Sequence, residues 1–341
     1  MTGIGIIGTG WGARVQVPAF RGAGLEVVAL AGSQADKTAR IAGELGVAWH
    51  TASWRALLER PDVDVVSIVT PPGLHREIAA AALEAGRHVL CEKPTAMDVA
   101  EAEAMLAAAE AHPAQLAMID HELRFLPALR LARSLIARGE IGAVRHAEIR
   151  SLSSSRSDPR RAWSWWSDAS QGGGVLGAIG SHQIDTLRYL LSDEVAVASG
   201  ITHTFIAERP DDSGRPRPVT ADDYAAASLR FVGGATATIM ASVVAPHDEP
   251  NSATVYGVEG ALRFVGGRLL RSAGGAFADI TPEHGVDFPE GISGDFPQGT
   301  VYLGVALKAA LAGDAAALAP AATFADGLAV QRALDAIRAG G

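Results

Sequence analysis

The stretch Gly3-Ile4-Gly5-Ile6-Ile7-Gly8-Thr9-Gly10-Trp11-Gly12-Ala13 decides the fold, because an apolar strand runs directly into a glycine-rich turn. The turn follows the G-x-G-x-x-G/A pattern, with Ala13 in the third position. The helical segment Arg14 to Arg21 comes next, and its N-terminal amides would face a diphosphate. Strand, turn and helix together predict a dinucleotide site, although a turn without a ligand is the alternative. The expected contacts are Gly8, Gly10, Trp11 and Gly12.

A second stretch, Glu92-Lys93-Pro94, directly follows the apolar strand His88 to Cys91. A lysine at the carboxyl end of a later strand in the same sheet points into the crevice where the reactive ring of a dinucleotide would lie. When such a lysine is partly desolvated beside a cationic nicotinamide, it can exchange protons with a substrate hydroxyl. We therefore predict that Lys93 is catalytic and touches both cofactor and substrate, and that Glu92 orients Lys93 or the cofactor. The alternative for Lys93 is a surface lysine before a proline.

Length and composition narrow the class of protein. A chain of 341 residues suits two domains, and 48% hydrophobic residues can form large cores. The net charge of -9 leaves no basic surplus for nucleic acid. The single cysteine, Cys91, excludes an internal disulfide and a cysteine-cluster metal site. Because the first strand begins at Gly3 and no apolar run reaches roughly 18 residues, we expect a cytoplasmic protein with no membrane contact.

The first 122 residues alternate between strand and helix patterns, which predicts a doubly wound α/β domain with a parallel sheet. Besides the first strand, the predicted strands are 25–31, 63–69, 88–91 and 115–119. The predicted helices after the first one are 36–45, 75–85 and 98–111. Asp98 and Glu101 form a variant capping box before the last of these, and Gly86 occupies a helix C-terminal position.

From residue 123 to 341 the pattern changes to one helix followed mainly by strands, which predicts an α+β domain with a large, mainly antiparallel open sheet. Gly233-Gly234 is a two-residue hairpin signal between two of these strands. The predicted strands are 144–151, 196–207, 224–231, 235–243, 252–256 and 260–264. The predicted helices are 127–138 and the amphipathic closing helix 324–338. The polar, proline-containing segment 208–223 predicts an exposed loop or lid.

The end of the second strand reads Ala31-Gly32-Ser33-Gln34-Ala35-Asp36-Lys37 and bears on the choice of cofactor. NAD enzymes place a carboxylate at this tip against the ribose 2′-hydroxyl, and no acidic residue stands there. Ser33 can donate to a 2′-phosphate, and Lys37 or Arg40 can neutralise it, so NADP is favoured over NAD. The alternative is that Lys37 and Arg40 are solvated helix surface and Asp36 is an N-cap. The expected contacts at the tip are Ser33, Gln34 and Lys37.

Thr70-Pro71-Pro72 ends the third clear strand. Prolines here delay the following helix and bring the backbone close to the nicotinamide side of the crevice. We expect Thr70 and Pro71 to contact the cofactor. His75 is expected at the helix start or the cofactor edge rather than in catalysis.

A third constellation begins at Gly172-Gly173-Gly174. If Val175 to Leu191 is helical, Ala178, His182 and Asp185 share one face. Histidine carries protons near neutral pH, so His182 is predicted to be catalytic and to bind substrate, and Asp185 could fix its tautomer. The alternative is a satisfied core histidine. No cysteine or second histidine lies at ligand spacing, so no metal site is predicted.

Three tryptophans, Trp163, Trp165 and Trp166, precede the glycines. Flat aromatic faces with hydroxyl and carboxylate neighbours suit a polyol or sugar ring, so we predict that Trp165 and Trp166 bind substrate. Core packing or a subunit interface is the alternative.

Taken together, these motifs resemble the glucose-fructose oxidoreductase and inositol dehydrogenase family, Gfo/Idh/MocA, along essentially the whole chain. The resemblance implies a Rossmann domain, then a domain with a large open sheet that pairs subunits into homodimers or homotetramers. It also implies NAD(P)-dependent oxidation or reduction of a sugar, cyclitol or related polyol. Lys93 and His182 occupy the positions of the family's catalytic lysine and histidine.

Two residues depart from the family pattern. Ala178 stands where many members have aspartate, which weakens a lysine-aspartate-histidine relay. Trp166 stands where many have arginine, which alters cofactor or substrate contact. Two other functions stay open: a non-catalytic dinucleotide-binding sugar sensor, and an elimination enzyme that uses its cofactor transiently. Sensors tend to lose the lysine, and this chain keeps it.

Overall fold

The structure, a computed structural model, describes residues 2–340, and these divide into two units. Unit 1 contains residues 2–96, 100–126 and 284–328. Unit 2 contains residues 97–99, 127–283 and 329–340. The last segment of unit 1, residues 284–328, therefore follows most of unit 2 in the sequence.

Within residues 2–340, unit 1 has a seven-stranded sheet in the order β3-β2-β1-β4-β5-β6-β17. Neighbouring strands are parallel except β17, which runs antiparallel to β6. The strands are β1 Gly3–Ile7, β2 Glu26–Ala31, β3 Trp49–Thr51, β4 Val65–Ile68, β5 His88–Cys91, β6 Ala117–Ile119 and β17 Ala322–Thr323. The helices are α1 Val17–Gly22, α2 Ala35–Leu45, α3 Trp54–Leu58, α4 His75–Glu84, α5 Val99–Ala111, α8 Asp295–Leu311 and the start of α9 Phe324–Ala339.

This sheet confirms the predicted doubly wound Rossmann domain. Its strands are buried on both faces, which is why they read as continuous apolar runs such as Val65–Ile68. The strand order reverses between β1 and β4, and ligands of such sheets bind outside the carboxyl ends of the strands at that point. The segments after β1, β4 and β5 therefore carry the first part of the candidate site.

The large sheet of unit 2 has the order β16-β15-β14-β13-β7-β12-β11-β8. Only β7 and β12 pair in parallel in this sheet of the described chain, so the prediction of a mainly antiparallel sheet is confirmed. The strands are β7 Val144–Leu152, β8 Val195–His203, β11 Tyr224–Phe231, β12 Thr236–Ser242, β13 Ser252–Gly257, β14 Ala261–Val265, β15 Arg268–Ser272 and β16 Ala278–Asp279. The helices are α6 Pro127–Ala137 and α7 Ser181–Leu191.

The predicted Gly233-Gly234 hairpin is present between β11 and β12. Gly234 has φ 95°, a left-handed conformation that glycine adopts without strain, and the amide of Phe231 donates to Ala235 O at 2.8 Å. Gly86 likewise has φ 72° after α4. Both glycines predicted at turns therefore adopt the left-handed conformation that favours glycine.

Segment 208–223 differs from the exposed loop that the sequence predicts. It contains a two-stranded antiparallel hairpin, β9 Glu208–Pro210 and β10 Pro216–Pro218. Arg209 is buried there and donates to Asp158 O at 2.8 Å and to Arg156 O at 2.6 Å. Pro210 ends β9, and Pro216 and Pro218 bound β10. These prolines hide the strand pattern in the sequence, because proline within a sheet is confined to edge strands such as these.

A second difference concerns residues 284–328, which the sequence assigns to the second domain and the structure assigns to unit 1. Leu303 and Leu307 of α8 join the unit 1 core with Phe20 of α1. A Cβ added at Gly304 would lie 2.9 Å from Ala23 Cβ, so α8 and the end of α1 approach closely. Among the helices of residues 2–340, none is long and apolar enough to cross a membrane.

Candidate active site

The glycine-rich turn after β1 uses its glycines for different purposes. Gly8 has φ 138°, and a Cβ there would lie 2.2 Å from Val69 O, so the turn and the end of β4 require glycine. A Cβ at Gly12 would lie 2.7 Å from Ile6 Cγ2, so close packing of the helix on β1 requires it too. A Cβ at Gly10 would meet nothing within 4 Å. Folding gives no reason for glycine at position 10, whereas close approach of a diphosphate does.

The helix after this turn begins with a π-helical turn, Gly12–Gln16, before α1. Such turns are frequent at functional sites. Trp11, a predicted cofactor contact, packs with its ring against the apolar cluster of Val15, Ala19, Ile292 and Val301. Trp11 therefore has a structural role at the start of the helix.

At the end of β2, the predicted cofactor contacts Ser33, Gln34 and Lys37 are all exposed. Gln34 is the N-cap of α2, and its side chain makes no capping hydrogen bond. Arg40 forms a 2.6 Å ion pair with Glu44 on the surface of α2. Arg40 is thus paired with Glu44, while the tip itself carries the Ser33 hydroxyl and the Gln34 amide, and Asp36 and Lys37 follow in the first turn of α2.

After β4, Thr70 and Pro71 lie at the carboxyl edge of the sheet. The Thr70 hydroxyl oxygen is buried and has no hydrogen-bond partner within residues 2–340. A buried polar atom left in this state costs free energy unless a ligand or water satisfies it. This orphaned hydroxyl and the space at Gly10 fit a cofactor bound across the ends of β1 and β4.

His75, the first residue of α4, is completely buried and ties two segments together. Its Nε2 lies 2.9 Å from Thr70 O, and its Nδ1 lies 3.1 Å from Pro94 O and 3.2 Å from Thr95 O. Burial lowers the pKa of His75. Because both ring nitrogens face backbone carbonyls, His75 positions the segment after Lys93.

Glu92, Lys93 and Pro94 leave the sheet at the end of β5. The Glu92 amide donates to Ile68 O of β4 at 2.9 Å, and the Lys93 amide donates to Glu92 Oε2 at 3.2 Å. The Lys93–Pro94 peptide bond is cis. Lys93 is half-buried, so its side chain keeps access to solvent or a ligand. The strand end thus positions the predicted catalytic lysine in unit 1.

Beneath Lys93 lies a buried polar network that the sequence analysis did not predict. Gln16 Nε2 donates to Asp120 Oδ2 at 2.9 Å and to Glu92 Oε1 at 3.3 Å. The Ser67 hydroxyl donates to Gln16 Oε1 at 2.6 Å. These residues come from the first helical turn, β4 and the ends of β5 and β6. The one local signal is the polar run Asp120-His121-Glu122 directly after the buried strand β6.

Burial raises the pKa values of the carboxyl groups in this region. It is the main cause for Glu92, and the charge of Lys93 opposes the rise. For Asp120 the pKa lies well above its usual range because of burial and the neighbouring Glu92. The pKa of Glu122 is also well above its usual range, through burial and then Asp120. Burial and like-charge repulsion therefore both favour the neutral carboxyl form in this network beside Lys93.

The end of the chain returns to support this segment of unit 1. A Cβ at Gly327 would lie 2.3 Å from Thr95 Oγ1, so α9 begins in close contact with the residue after Pro94. Arg124 forms a 3.0 Å ion pair with Asp326 in the first turn of α9. Close approach to Thr95 explains why glycine follows Asp326.

In unit 2, the triple glycine precedes a helical segment as predicted. A Cβ at Gly173 would lie 2.4 Å from Trp166 O, and Gly174 has φ 113°. Asp222 accepts a 2.7 Å hydrogen bond from the Leu176 amide at the helix start. Burial raises the pKa of Asp222, and this hydrogen bond opposes the rise. Asp222 is a supporting residue that no sequence pattern indicated.

The helix itself begins as a π-helical turn, Leu176–Gly180, and continues as α7. The wider turn changes the phase of residues before Ser181, so Ala178 and His182 do not have the regular i, i+4 relation that the sequence analysis assumed. Gln183 Nε2 donates to Met240 O of β12 at 2.8 Å and pins α7 to the sheet. His182 lies next to this anchor.

His182 and Asp185 are both buried in α7, with exposed fractions of 3% and 1%. Asp185 Oδ1 lies 4.0 Å from Arg188 Nη1, and Arg188 also bonds Glu194 at 2.6 Å. The Asp185 carboxylate therefore belongs to a charged network that includes Arg188. That arrangement gives Asp185 a charge partner other than His182.

The three tryptophans have distinct surroundings. Trp163 Nε1 donates to Pro218 O at 3.0 Å, and the Arg217 guanidinium lies 3.2 Å from its ring centroid, so Trp163 binds the β9–β10 hairpin. The Arg156 guanidinium lies 3.8 Å from the ring centroid of Trp166. Trp165 is 37% exposed. Trp165 and Trp166 remain predicted substrate contacts. Trp165 has an exposed side chain, and Trp166 has a cationic neighbour.

The candidate residues form two sets. The set in unit 1 contains Gly8, Gly10, Gly12, Ser33, Gln34, Lys37, Thr70, Pro71, Glu92 and Lys93, and the set in unit 2 contains Trp165, Trp166, His182 and Asp185. Among the residues the structure describes, no three His, Cys, Asp or Glu side chains are grouped so that they could hold a metal ion.

Comparison with known proteins agrees with this architecture. Residues 2–120 match the model of the oxidoreductase family with an NAD-binding Rossmann fold, and residues 129–263 match the GFO/IDH/MocA C-terminal domain. The chain is 32% identical to glucose-fructose oxidoreductase domain-containing protein 2 of Mus musculus, over 99% of this chain and 91% of that protein.

Two solved structures are similar over nearly their whole length. An oxidoreductase domain protein from Kribbella flavida has a TM-score of 0.89 and 34% identity, covering 99% of this chain and 96% of that one. Levoglucosan dehydrogenase in complex with NADH and levoglucosan has a TM-score of 0.88 and 28% identity, with the same coverage. The resemblance predicted from the motifs is confirmed, and this chain belongs to the NAD-binding GFO/IDH/MocA family of oxidoreductases.

Proposed function

We propose that this oxidoreductase transfers hydride between a nicotinamide cofactor and a carbinol or ketone carbon of a sugar, cyclitol or related polyol. The observation that carries the proposal is Lys93, held at the carboxyl end of β5 beside a buried carboxyl network whose pKa values are raised. A lysine supported in this way suits acid-base chemistry at a hydroxyl. The relation to levoglucosan dehydrogenase, which binds NADH and levoglucosan, supports a sugar as the substrate.

Each residue has a role in this proposal. The bound nicotinamide supplies a hydride acceptor or donor at C4. When the alcohol is oxidised, Lys93 Nζ accepts the hydroxyl proton, and in the reverse direction Lys93 returns it to the carbonyl oxygen. His182 is proposed to hydrogen-bond the substrate and orient it. Trp165 and Trp166 contact the apolar faces of the sugar ring.

For the cofactor itself, we propose that the diphosphate binds at Gly8, Gly10 and Gly12. The nicotinamide would lie near Thr70 and Pro71. NADP is preferred over NAD in this proposal, because Ser33 and Gln34 offer donors and Lys37 offers positive charge where an NAD enzyme has a carboxylate. The solved levoglucosan dehydrogenase complexes contain NADH, so a preference of this chain for NADP would distinguish it from that relative.

We also propose that the chain forms homodimers or homotetramers through the open sheet of unit 2. Val197 and Ile201 of β8 are exposed, with exposed fractions of 45% and 58%. Neighbouring apolar side chains on an exposed strand favour association with another surface. Light scattering coupled to size-exclusion chromatography measures the mass, and a monomer at micromolar concentration contradicts this part of the proposal.

The experiment that tests the function is a panel of sugars, inositols and their keto forms, each incubated with NAD(P) or NAD(P)H. Turnover is followed as absorbance change at the reduced nicotinamide band. Net formation or consumption of reduced cofactor supports a dehydrogenase or reductase. Turnover with no net cofactor change supports the elimination enzyme, and sugar binding without any turnover supports the sensor.

A further inference from the structure

Three arginines lie together in unit 2: Arg156, Arg161 and Arg209. Arg156 and Arg161 come from the segment after β7, and Arg209 comes from the β9–β10 hairpin. Burial and then the like charges of Arg161 and Arg209 bring the pKa of Arg156 down to about 10. Burial and then Arg161 likewise lower the pKa of Arg209.

The charge of this arginine cluster is poorly compensated. Over residues 2–340, neither Arg156 nor Arg161 forms an ion pair. The Arg156 guanidinium faces the Trp166 ring, and Arg161 makes a long, 3.3 Å hydrogen bond to Ser155 O. Arg209 donates to the backbone carbonyls of Asp158 and Arg156, and its nearest carboxylates, Asp223 and Asp158, act on it only through longer-range attraction.

The acidic residues near the cluster are bound elsewhere. Asp158 accepts hydrogen bonds from Arg160 at 3.1 Å. Asp248 accepts from the amide of Ser154 at 2.6 Å, and Glu249 pairs with Arg150 at 2.6 Å. A half-buried guanidinium with two like charges beside it and no carboxylate partner is costly to keep in a folded protein. Costly arrangements of this kind are expected where a ligand supplies the missing charge.

The cluster also lies at the end of the sheet where the predicted substrate residues of unit 2 are found. The Arg156 amide donates to Val243 O at 2.9 Å, directly after β12. Gln183, next to His182, bonds Met240 O near the same end of β12. Trp166, on which Arg156 stacks, has its carbonyl against Gly173 before the His182 helix.

We propose that Arg156 and Arg161 bind an anionic group, a carboxylate or a phosphate, on the sugar substrate. This inference rests on the proposed function and narrows its substrate class to acidic sugars. Guanidinium groups present several N–H donors in a fixed plane that matches both anions. Stacking on Trp166 holds Arg156 in place but supplies no negative charge, so it leaves the guanidinium free to pair with a ligand.

Isothermal titration calorimetry on the full chain, with NADH or NADPH present, tests the proposal. The probes are D-gluconate, D-glucuronate, D-galacturonate and D-glucose 6-phosphate, each compared with its neutral parent sugar. We expect at least one anionic sugar to bind tenfold or more tightly than its parent, and added NaCl to weaken that binding. The acid or the phosphate that binds more tightly identifies the group.

Variants locate the binding. R156Q and R161Q should each lose about tenfold to a hundredfold in affinity for the anionic sugar, the usual worth of one charge-assisted hydrogen bond, and should lose much less affinity for the neutral parent. R160Q is the matched control, because Arg160 is an exposed arginine of the same segment already paired with Asp158. Arg161 is exposed as well, so R161Q keeps the test decisive if R156Q fails to fold.

The proposal is overturned if every anionic sugar binds no more tightly than its neutral parent, or if R156Q and R161Q bind it as well as R160Q does. Failure of the proposed function gives a different result. In that case the anionic sugar binds selectively and the arginine variants lose it, but no hydride is transferred in either direction.

Discussion

Replacing Gly10 with alanine separates the cofactor role of the glycine-rich turn from its folding role. A Cβ at Gly10 meets nothing within 4 Å, and its φ lies outside the left-handed region. Gly10→Ala should therefore raise the free energy of unfolding by about 0.4–1 kcal/mol, because alanine has fewer unfolded conformations. Gly8→Ala should instead destabilise by at least about 1–3 kcal/mol from its positive φ alone.

The same methyl group at position 10 should weaken dinucleotide binding. If the diphosphate approaches the backbone here, the added Cβ forces a shift that costs about 1–3 kcal/mol, as overpacking does. That corresponds to a roughly fivefold to hundredfold increase in the Kd of NADH and NADPH. Thermal unfolding measures the stability, and quenching of tryptophan fluorescence measures cofactor affinity.

Gly43→Ala is the matched control for this substitution. Gly43 lies in α2, and a Cβ there also meets nothing within 4 Å. This variant should gain stability, since alanine favours helix over glycine, and should bind both cofactors as the wild type does. If Gly10→Ala also binds them with unchanged affinity, the assignment of the diphosphate to this turn is wrong.

Three further predictions concern cofactor choice, buried charge and the histidine. Ser33→Asp should shift preference toward NAD by removing a phosphate donor and adding repulsion, and tighter wild-type binding of NADH than NADPH in fluorescence titrations would contradict the NADP preference. Because the pKa of buried Asp120 is raised in the folded state, its stabilising contribution is present below the unfolded value of about 4 and is lost as pH rises. Asp120→Asn should flatten this decline in urea unfolding between pH 5 and pH 8, and an unchanged slope would count against the raised pKa. His182→Ala should cost less turnover than loss of Lys93 and should also raise KM, since a hydrogen bond to the hydroxyl acts in ground and transition states, so steady-state kinetics with unchanged KM would argue against that contact.

Much of unit 1 is predictable because its elements are locally encoded. Buried parallel strands are continuous apolar runs, and β5 has the predicted bounds, His88–Cys91. The short strand β3, Trp49–Thr51, is half-buried at the sheet edge and has no such run. Helix α8 belongs to unit 1 through Leu303 and Leu307, whose partners are far away in the sequence. No local pattern carries that information.

The candidate site divides in the same way. Gly8, Gly12 and Lys93 stand in motifs whose spacing reflects one turn or one strand end. The network of Gln16, Ser67, Glu92 and Asp120 is assembled from four separate segments, so only the fold brings its members together. The surroundings of His182 were not predictable from the regular spacing of an α-helix. A π-helical turn just before His182 interrupts that spacing.

Lys93→Met tests the central claim most directly. With a sugar substrate identified in the panel, stopped-flow absorbance measures the hydride-transfer step, and a separate titration measures cofactor affinity. We expect hydride transfer to slow by about 10²–10⁴-fold, the usual worth of one positioned acid-base group, with the cofactor Kd nearly unchanged. Transfer at close to the wild-type rate would show that Lys93 does not move the proton and would contradict the proposed mechanism.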